Sequence, residues 1–319
     1  MHLSLVMPFV VIIRLDTTNA GIIPLSRCNK LDLTYTLHDN ITVYPIDSYI
    51  KDGYGHKAMF AGVFESAGDP AYVKAGQFSM MEHVGTHVDA PQHILPANAT
   101  VHDFDTIENV PLNNLVGEAC VIDIPPDQRD NKDYALSIAD LQNWERQHGL
   151  FHDQCIIVVR TPNEKWFETD KNRFLGLNGQ EPHKDAYGWI DNMHFPGMSV
   201  EAAEWLVKHR DFLALGTNVI SLDVGDALNF GHSVHTVILG SNRPGIENMA
   251  NTMQLPNRGA TLVVMPLRLK TGSGAPARIF AIGWDGPDDK CRISSSTTNA
   301  VHNVLILVTV IMTVAIFGQ

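Results

Sequence analysis

The segment His83-Val84-Gly85-Thr86-His87-Val88-Asp89-Ala90-Pro91-Gln92-His93 restricts the backbone more than any other stretch of this chain. It places three imidazoles and one carboxylate at positions 83, 87, 89 and 93. These are the side chains that hold zinc or manganese in hydrolytic sites. All four positions are odd, so a straight strand would present them on one face. Distance defeats that arrangement. At roughly 3.3 Å per residue, His83 and His87 would stand about 13 Å apart, too far to share one ion through bonds of about 2.1 Å. A helix brings residues four apart together. However, Val84, Gly85, Thr86 and Val88 are poor helix formers, and Pro91 stops a helix. What remains is a strand end that coils into a loop, with Gly85 supplying the bend.

Around this segment the chain reads as an ordinary globular protein. Of its 319 residues, 45% are hydrophobic and 18% charged, which suits one large domain with a conventional core. A net charge of −12 without any Lys/Arg cluster disfavours nucleic acid as a partner. Short apolar runs rich in Val and Ile predict buried strands at 119–124, 154–161, 218–223 and 260–266. Ser137 followed by Asp140 predicts a capped helix start. Ser199 predicts the N-cap of a second helix running to about Lys208. The alternation of strand and helix gives an α/β class.

The pattern HxGTHxDxPxH resembles the signature of the metal-dependent cyclase family, which includes bacterial-type kynurenine formamidase and isatin hydrolase. The resemblance covers about residues 29–285. It includes Leu31-Asp32-Leu33-Thr34, Val43-Tyr44-Pro45, Val116-Gly117 with Val121-Ile122-Asp123, and His194-Phe195-Pro196-Gly197-Met198-Ser199. It implies a single-domain swivelling β/β/α fold with a mixed central sheet. It implies that His83, His87 and Asp89 bind a first metal and that Asp89 bridges to a second where one is present. His235 and Glu247 have the twelve-residue spacing of the second ion's other ligands. His93 is implied as the general acid/base, a role that suits a side chain titrating near the working pH. The cofactor is then one or two zinc ions, or manganese, and the partner a small-molecule amide. A homodimer is also implied. Two departures bear on the substrate. Arg160-Thr161-Pro162-Asn163 stands where the family often has Arg-Thr-Gly-Trp, and Asn218 replaces an Asp, although Ser221-Leu222-Asp223 is kept.

Other histidines read less sharply. His232, three residues before His235, fits either a ligand or a polar turn after Asn229-Phe230-Gly231. His102, His148, His152, His183 and His209 occur in polar surroundings without partners in sequence and read as surface residues. Trp189 and His194 flank a loop that borders the expected pocket. Phe60 and Phe64 fit either its aromatic wall or core packing.

Both ends read as processing signals. Residues 1–20 resemble a signal peptide, with an apolar run at 3–13 and small residues at Thr18-Asn19-Ala20. The hydrolase domain then occupies 21–293, a polar spacer 294–303, and a hydrophobic tail 304–319. That tail fits either a glycosylphosphatidylinositol signal or a single membrane span. Either reading places the protein in the secretory pathway, on the outer face of the plasma membrane. Sequons at Asn40 and Asn98 are compatible with glycosylation there. Cys120 and Cys155 fall in expected strands and read as buried free thiols, whereas Cys28 and Cys291 flank the domain and are able to pair.

Three functions follow from these readings. The first is an arylformamidase-type hydrolase converting N-formylkynurenine to kynurenine and formate in tryptophan catabolism. The second is a hydrolase of cyclic amides such as isatin. The third is a non-catalytic module stabilised by metal, which His93 argues against, because a structural metal needs no proton shuttle.

Overall fold

The computed structural model describes residues 28–45, 53–66, 69–184, 190–225 and 232–284. All lie in one compact unit, Cys28–Asp289. The strands in chain order are β1 (Lys30–Asp32), β2 (Tyr54–Ser66), β3 (Asp69–Met80), β4 (His87–Asp89), β5 (Val116–Asp123), β6 (Ala135–Leu136), β7 (Cys155–Arg160), β8 (Gly197–Met198), β9 (Ala214–Thr217), β10 (Gly245–Glu247), β11 (Thr261–Pro266) and β12 (Gly274–Ile282). The α-helices are α1 (Ile138–His148), α2 (Lys171–Phe174), α3 (Val200–His209) and α4 (Val234–Leu239).

The main sheet runs β1-β12-β11-β5-β7-β9-β10-β4, and β4 pairs back onto β12. That last pairing closes the sheet into a barrel. β5, β7, β9 and β10 run parallel to their neighbours in that series, while β11, β12 and β4 join antiparallel, so the sheet is mixed. The fold is the mixed α/β architecture expected from sequence.

Burial on both faces explains the continuous apolar runs of β5 and β7. Val121 and Val158 join a helix-free cluster with Val88, Ile246, Leu262 and Ile279. Their neighbours Ile122 and Ile157 pack instead against Leu141 and Trp144 of α1 and Leu206 of α3. Both long helices begin where the caps predict. Ser137 and Asp140 form a reciprocal capping box at α1, and Ser199 accepts from Ala202 N at α3.

Two sequence expectations are corrected. No strand occupies 218–223, because β9 ends at Thr217. The Asn218 side chain accepts from Thr161 N and donates to Thr161 O, replacing ladder bonds and ending the strand. Cys120 and Cys155 are not free thiols but a disulfide, with Cα atoms 5.8 Å apart. The register sets Cys120 opposite Ile157 and Cys155 opposite Glu118, so the two cysteines are diagonal neighbours on one face of adjacent strands. Cys291, residues 1–20 and residues 294–319 lie outside the described residues, as do Trp189 and the side chains of Phe60 and Phe64. Among the described residues no helix is long and apolar enough to cross a membrane.

Candidate metal centre

The ligand-bearing loop takes the form that distance demanded. His83 lies in a turn, Gly85 adopts φ +66°, and the chain straightens into β4 at His87. Barrel closure places β4 between β10 and β12. In that register His87 stands opposite Glu247, and Asp89 stands opposite Gly245 and Gly274. Gly274 is required by close approach, since a Cβ there would lie 2.4 Å from the His83 ring.

These strands gather six side chains. His83 Nδ1 lies 2.7 Å from Asp89 Oδ1, and His87 Nε2 lies 3.2 Å from the same oxygen and 3.4 Å from Glu247 Oε2. His235, from α4, brings Nε2 to 3.0 Å from Glu247 Oε1 and 3.7 Å from Asp89 Oδ2. The His93 ring stacks on His83 with centroids 3.8 Å apart. Asp89 is fully buried, and His87, His235 and Glu247 are nearly so.

The partners of the rings select their free nitrogens. His87 Nδ1 faces the Gly85 carbonyl at 2.9 Å, so it donates there and leaves Nε2 toward the carboxylates. His235 Nδ1 faces Asp223 Oδ2 at 2.5 Å, which likewise leaves Nε2 inward. Asp223 is doubly held, because its other oxygen accepts from Val234 N at 2.6 Å. His83 Nε2 contacts Ser273 Oγ at 2.9 Å, and that hydroxyl donates to Glu82 at 2.7 Å. Such outer carboxylates orient metal-binding imidazoles. Glu82, Asp223 and Ser273 escaped sequence reading. For Asp223 the signal was the kept Ser221-Leu222-Asp223 segment, whose acid had no assigned task.

Charge and burial both point to a cation. Burial alone disfavours charged imidazole, yet Asp89 and Glu247 overcome it and raise His87 to about 10. His235 is likewise held well above its ordinary value, with Asp223, Asp89 and Glu247 outweighing burial. Asp89 is pulled well below the usual carboxylate range despite its burial, led by the His87 charge. Protons therefore do here what a divalent ion does better. Two buried atoms support that view, for His87 Nε2 and Asp89 Oδ2 have no hydrogen-bond partner, a state that buried polar atoms rarely tolerate. An ion with nitrogen and oxygen ligands suits both. His87, Asp89 and Glu247 form one set with ligand atoms within 4.8 Å of one another, and His83, Asp89 and His93 form another. The structure thus brings the six residues together.

His93 differs electrostatically from its neighbours. Burial, and then the positive charge of His83, lower its pKa to about 3. Among the described residues its ring nitrogens make no hydrogen bond.

Other sequence candidates lie elsewhere. His232 is exposed and 3.8 Å from Glu204, away from the cluster. His194 contacts Asp133 at 2.8 Å. His152 and His183 lie at the surface, as expected, and contact Glu118 and Asp191 at 2.6 and 2.5 Å. Asn218 contacts Thr161, Glu164 and Thr252 rather than the metal-type residues. Arg160 is buried against Asp123 and the Thr252 and Leu255 carbonyls.

A closed mixed α/β sheet carrying a buried His and carboxylate centre on adjacent strands defines a metal-site protein of hydrolase type. Residues 31–224 match the family model described as "Putative cyclase", and the chain belongs to that family. It is 28% identical to isatin hydrolase of Roseibium aggregatum over 204 residues, covering 63% of this chain and 72% of that protein. It is 25% identical to kynurenine formamidase of Paracidovorax citrulli over 219 residues, 65% of this chain and 78% of the relative. The solved isatin hydrolase A from Ralstonia solanacearum superposes with a TM-score of 0.66 at 28% identity, covering 81% of this chain and 93% of that one.

Proposed function

We propose that this protein is a metal-dependent amide hydrolase of the arylformamidase type, cleaving N-formylkynurenine to kynurenine and formate. The observation that carries the reading is the convergence of His83, His87, Asp89, His235 and Glu247 around two orphaned buried atoms, with His93 alongside. A divalent ion there, zinc or manganese, supplies acidification of water and polarisation of a carbonyl oxygen when bound.

The chain's own residues supply the rest. Asp223 and the Gly85 carbonyl fix the tautomers of His235 and His87, so both present Nε2 inward. Burial of Asp89 and Glu247 keeps bulk water from competing for the ligand atoms. His93 is neutral near pH 7 and has no protein partner, so it is free to take a proton from water and deliver it to the departing nitrogen. Burial and the His83 charge hold its pKa below the working pH that the sequence expectation assumed, which makes it a weaker base and a stronger acid once protonated. An aromatic amine, once protonated, leaves readily, which suits an aryl formamide.

A cyclic amide is the second reading, favoured by the isatin hydrolase relatives. Opening a lactam ring uses the same proton transfers by His93. The deciding experiment measures bound metal in the purified protein and assays N-formylkynurenine and isatin side by side, before and after chelation. Faster, metal-dependent turnover of N-formylkynurenine supports the first reading, and faster turnover of isatin supports the second. Turnover of neither overturns both.

The site is proposed to face the cell exterior, anchored through residues 304–319. The Cys120–Cys155 disulfide fits an oxidising compartment. Release from cells by a phosphatidylinositol-specific phospholipase supports a lipid anchor, and retention supports a membrane span.

A further inference from the structure

A second cluster of metal-type side chains lies outside the site already described. Glu118, Cys120, His152 and Cys155 bring one ligand-type atom each to within 4.8 Å of one another. The register produces the grouping. Glu118 stands opposite Cys155, and Cys120 follows Glu118 by two residues, so the three side chains share one face of β5 and β7. His152 lies three residues before the start of β7 and brings Nε2 to 2.6 Å from Glu118 Oε2. The cluster is distinct from the centre built on His83 and Glu247. Cys155 opens β7, Glu247 closes β10, and β9 lies between these two strands.

A disulfide accounts for the two cysteines but not for their neighbours. Both cysteines are fully buried in an apolar cluster with Leu141, Trp144 and Phe151, where a bridge needs no polar company. His152 and Glu118 nevertheless stand beside the sulfurs and reach solvent, with 37% and 25% of their side chains exposed. His152 N also faces Cys155 Sγ at 3.5 Å, a contact in which the amide donates to sulfur. Such a donor favours a thiolate over a thiol. Two thiolates, an imidazole and a carboxylate make a four-ligand set for tetrahedral zinc. Charge closes around that set. Zinc, two thiolates and Glu118 leave one negative charge, and Arg258 Nη2, 2.7 Å from Glu118 Oε2, offsets it.

We propose that this cluster is a redox-gated zinc site, closed by the Cys120–Cys155 bridge and opened when a dithiol reduces it. The exchange balances. The dithiol supplies two electrons and two protons, the Sγ–Sγ bond breaks, both cysteines become thiols, and the dithiol leaves as a cyclic disulfide. With the Cα atoms 5.8 Å apart, the freed sulfurs are able to separate to about 3.8 Å, the spacing of two sulfurs on one zinc at bonds of about 2.3 Å. Zinc replaces the proton on each sulfur, and two protons leave. On His152 the proton moves from Nε2 to Nδ1, and Nε2 turns from Glu118 to the ion. Gln154 N, which donates to Nδ1 at 3.2 Å, turns to water at this exposed position. A disulfide oxidant reverses both steps and expels the ion. Soft thiolates select zinc over magnesium, calcium or manganese. The site is independent of which amide the other centre cleaves.

The test is a cobalt titration of the full-length protein in mild detergent, with and without prior reduction by a phosphine. Cobalt stands in for zinc and reports its ligands, because sulfur bound to cobalt absorbs strongly in the near ultraviolet whereas imidazole and carboxylate do not. The reduced protein should gain that band and lose it when zinc is added, and the untreated protein should lack it. Cys28→Ser should keep the band, and Cys120→Ser combined with Cys155→Ser should abolish it. His152→Ala should weaken cobalt binding at the band by at least about 10-fold, since outer partners of ligands alone are worth about 10–100-fold. No band in the reduced protein, a band that survives the double Ser variant, or unchanged affinity in His152→Ala overturns the proposal. A second measurement needs no variant. X-ray absorption at the zinc edge of reduced, zinc-loaded wild-type protein should show sulfur neighbours at about 2.3 Å, and a shell of nitrogen and oxygen alone overturns it.

Discussion

Replacing Asp223 with Asn tests whether His235 is a metal ligand held in register by its neighbour. Asp223 Oδ2 lies 2.5 Å from His235 Nδ1, and Oδ1 accepts from Val234 N at 2.6 Å. A carboxylate only accepts, so the Nδ1 proton is fixed and Nε2, 3.0 Å from Glu247 Oε1, is the nitrogen left for an ion. Asn has the same shape. Its oxygen keeps the Val234 contact and turns its NH2 toward Nδ1. Two N–H donors cannot face one another, so the neutral ring moves its proton to Nε2 and the ligand nitrogen is blocked. Regaining the productive tautomer breaks the amide hydrogen bond and leaves two donors facing one another, about 1–3 kcal/mol, and metal affinity falls by about 10–100-fold. The assay titrates metal-free protein with zinc against a chelator of known affinity. Asp223→Ala provides the control, since it admits water to Nδ1 and leaves the tautomer free. It should lose less affinity than the Asn variant. Wild-type affinity in Asp223→Asn, or a larger loss in Asp223→Ala, refutes the tautomer reasoning.

The other predictions concern the same loop and its frame. His93→Ala should retain bound metal and lose about 10²–10⁴-fold in kcat; near-normal turnover removes His93 from the proton path, and loss of metal makes it a ligand. Gly274→Ala should push the His83 ring aside, because the new Cβ would lie 2.4 Å from it; metal affinity should fall while circular dichroism is kept, and unchanged affinity counts against His83 as a ligand. Metal binding to the metal-free protein should release protons and strengthen as pH rises toward about 10, where His87 loses its proton. The sign follows from competition, since a group with a raised pKa carries its proton below that value and must surrender it to the ion. Calorimetry in buffers of different ionisation enthalpy reads the proton count, and zero protons at pH 7 refutes the assignment. Replacing Cys120 and Cys155 with Ser should cost about 3–4 kcal/mol in denaturant unfolding, from the 35-residue loop the bridge closes; equal stability with and without reductant argues against the bridge.

Signals that act over a few residues were legible in the sequence. Gly85 and Pro91 exclude helix and straight strand across the metal loop, and the loop is what formed. Ser137 and Ser199 announce their helices because a cap is a contact across three residues. The Val- and Ile-rich runs announce β7 and the second half of β5, since burial on both faces leaves a mark on every position. The apolar run at 218–223 misled for the same reason. Buried residues such as Val219 and Leu222 look like a strand whether or not a ladder partner exists, and Asn218 removes that partner. What depends on strand order was not legible. Nothing near Cys120 says that β7 will lie beside β5, so a bridged pair reads as two separate thiols. His87 and Glu247 meet because β4 closes the barrel between β10 and β12, a pairing with no local signature. Asp223 is the instructive case. Its residue type suited several tasks, and only the placement of α4 selected one, the support of His235. The ligand types were visible from their chemistry, but the groups that aim those ligands became visible only once the register was known.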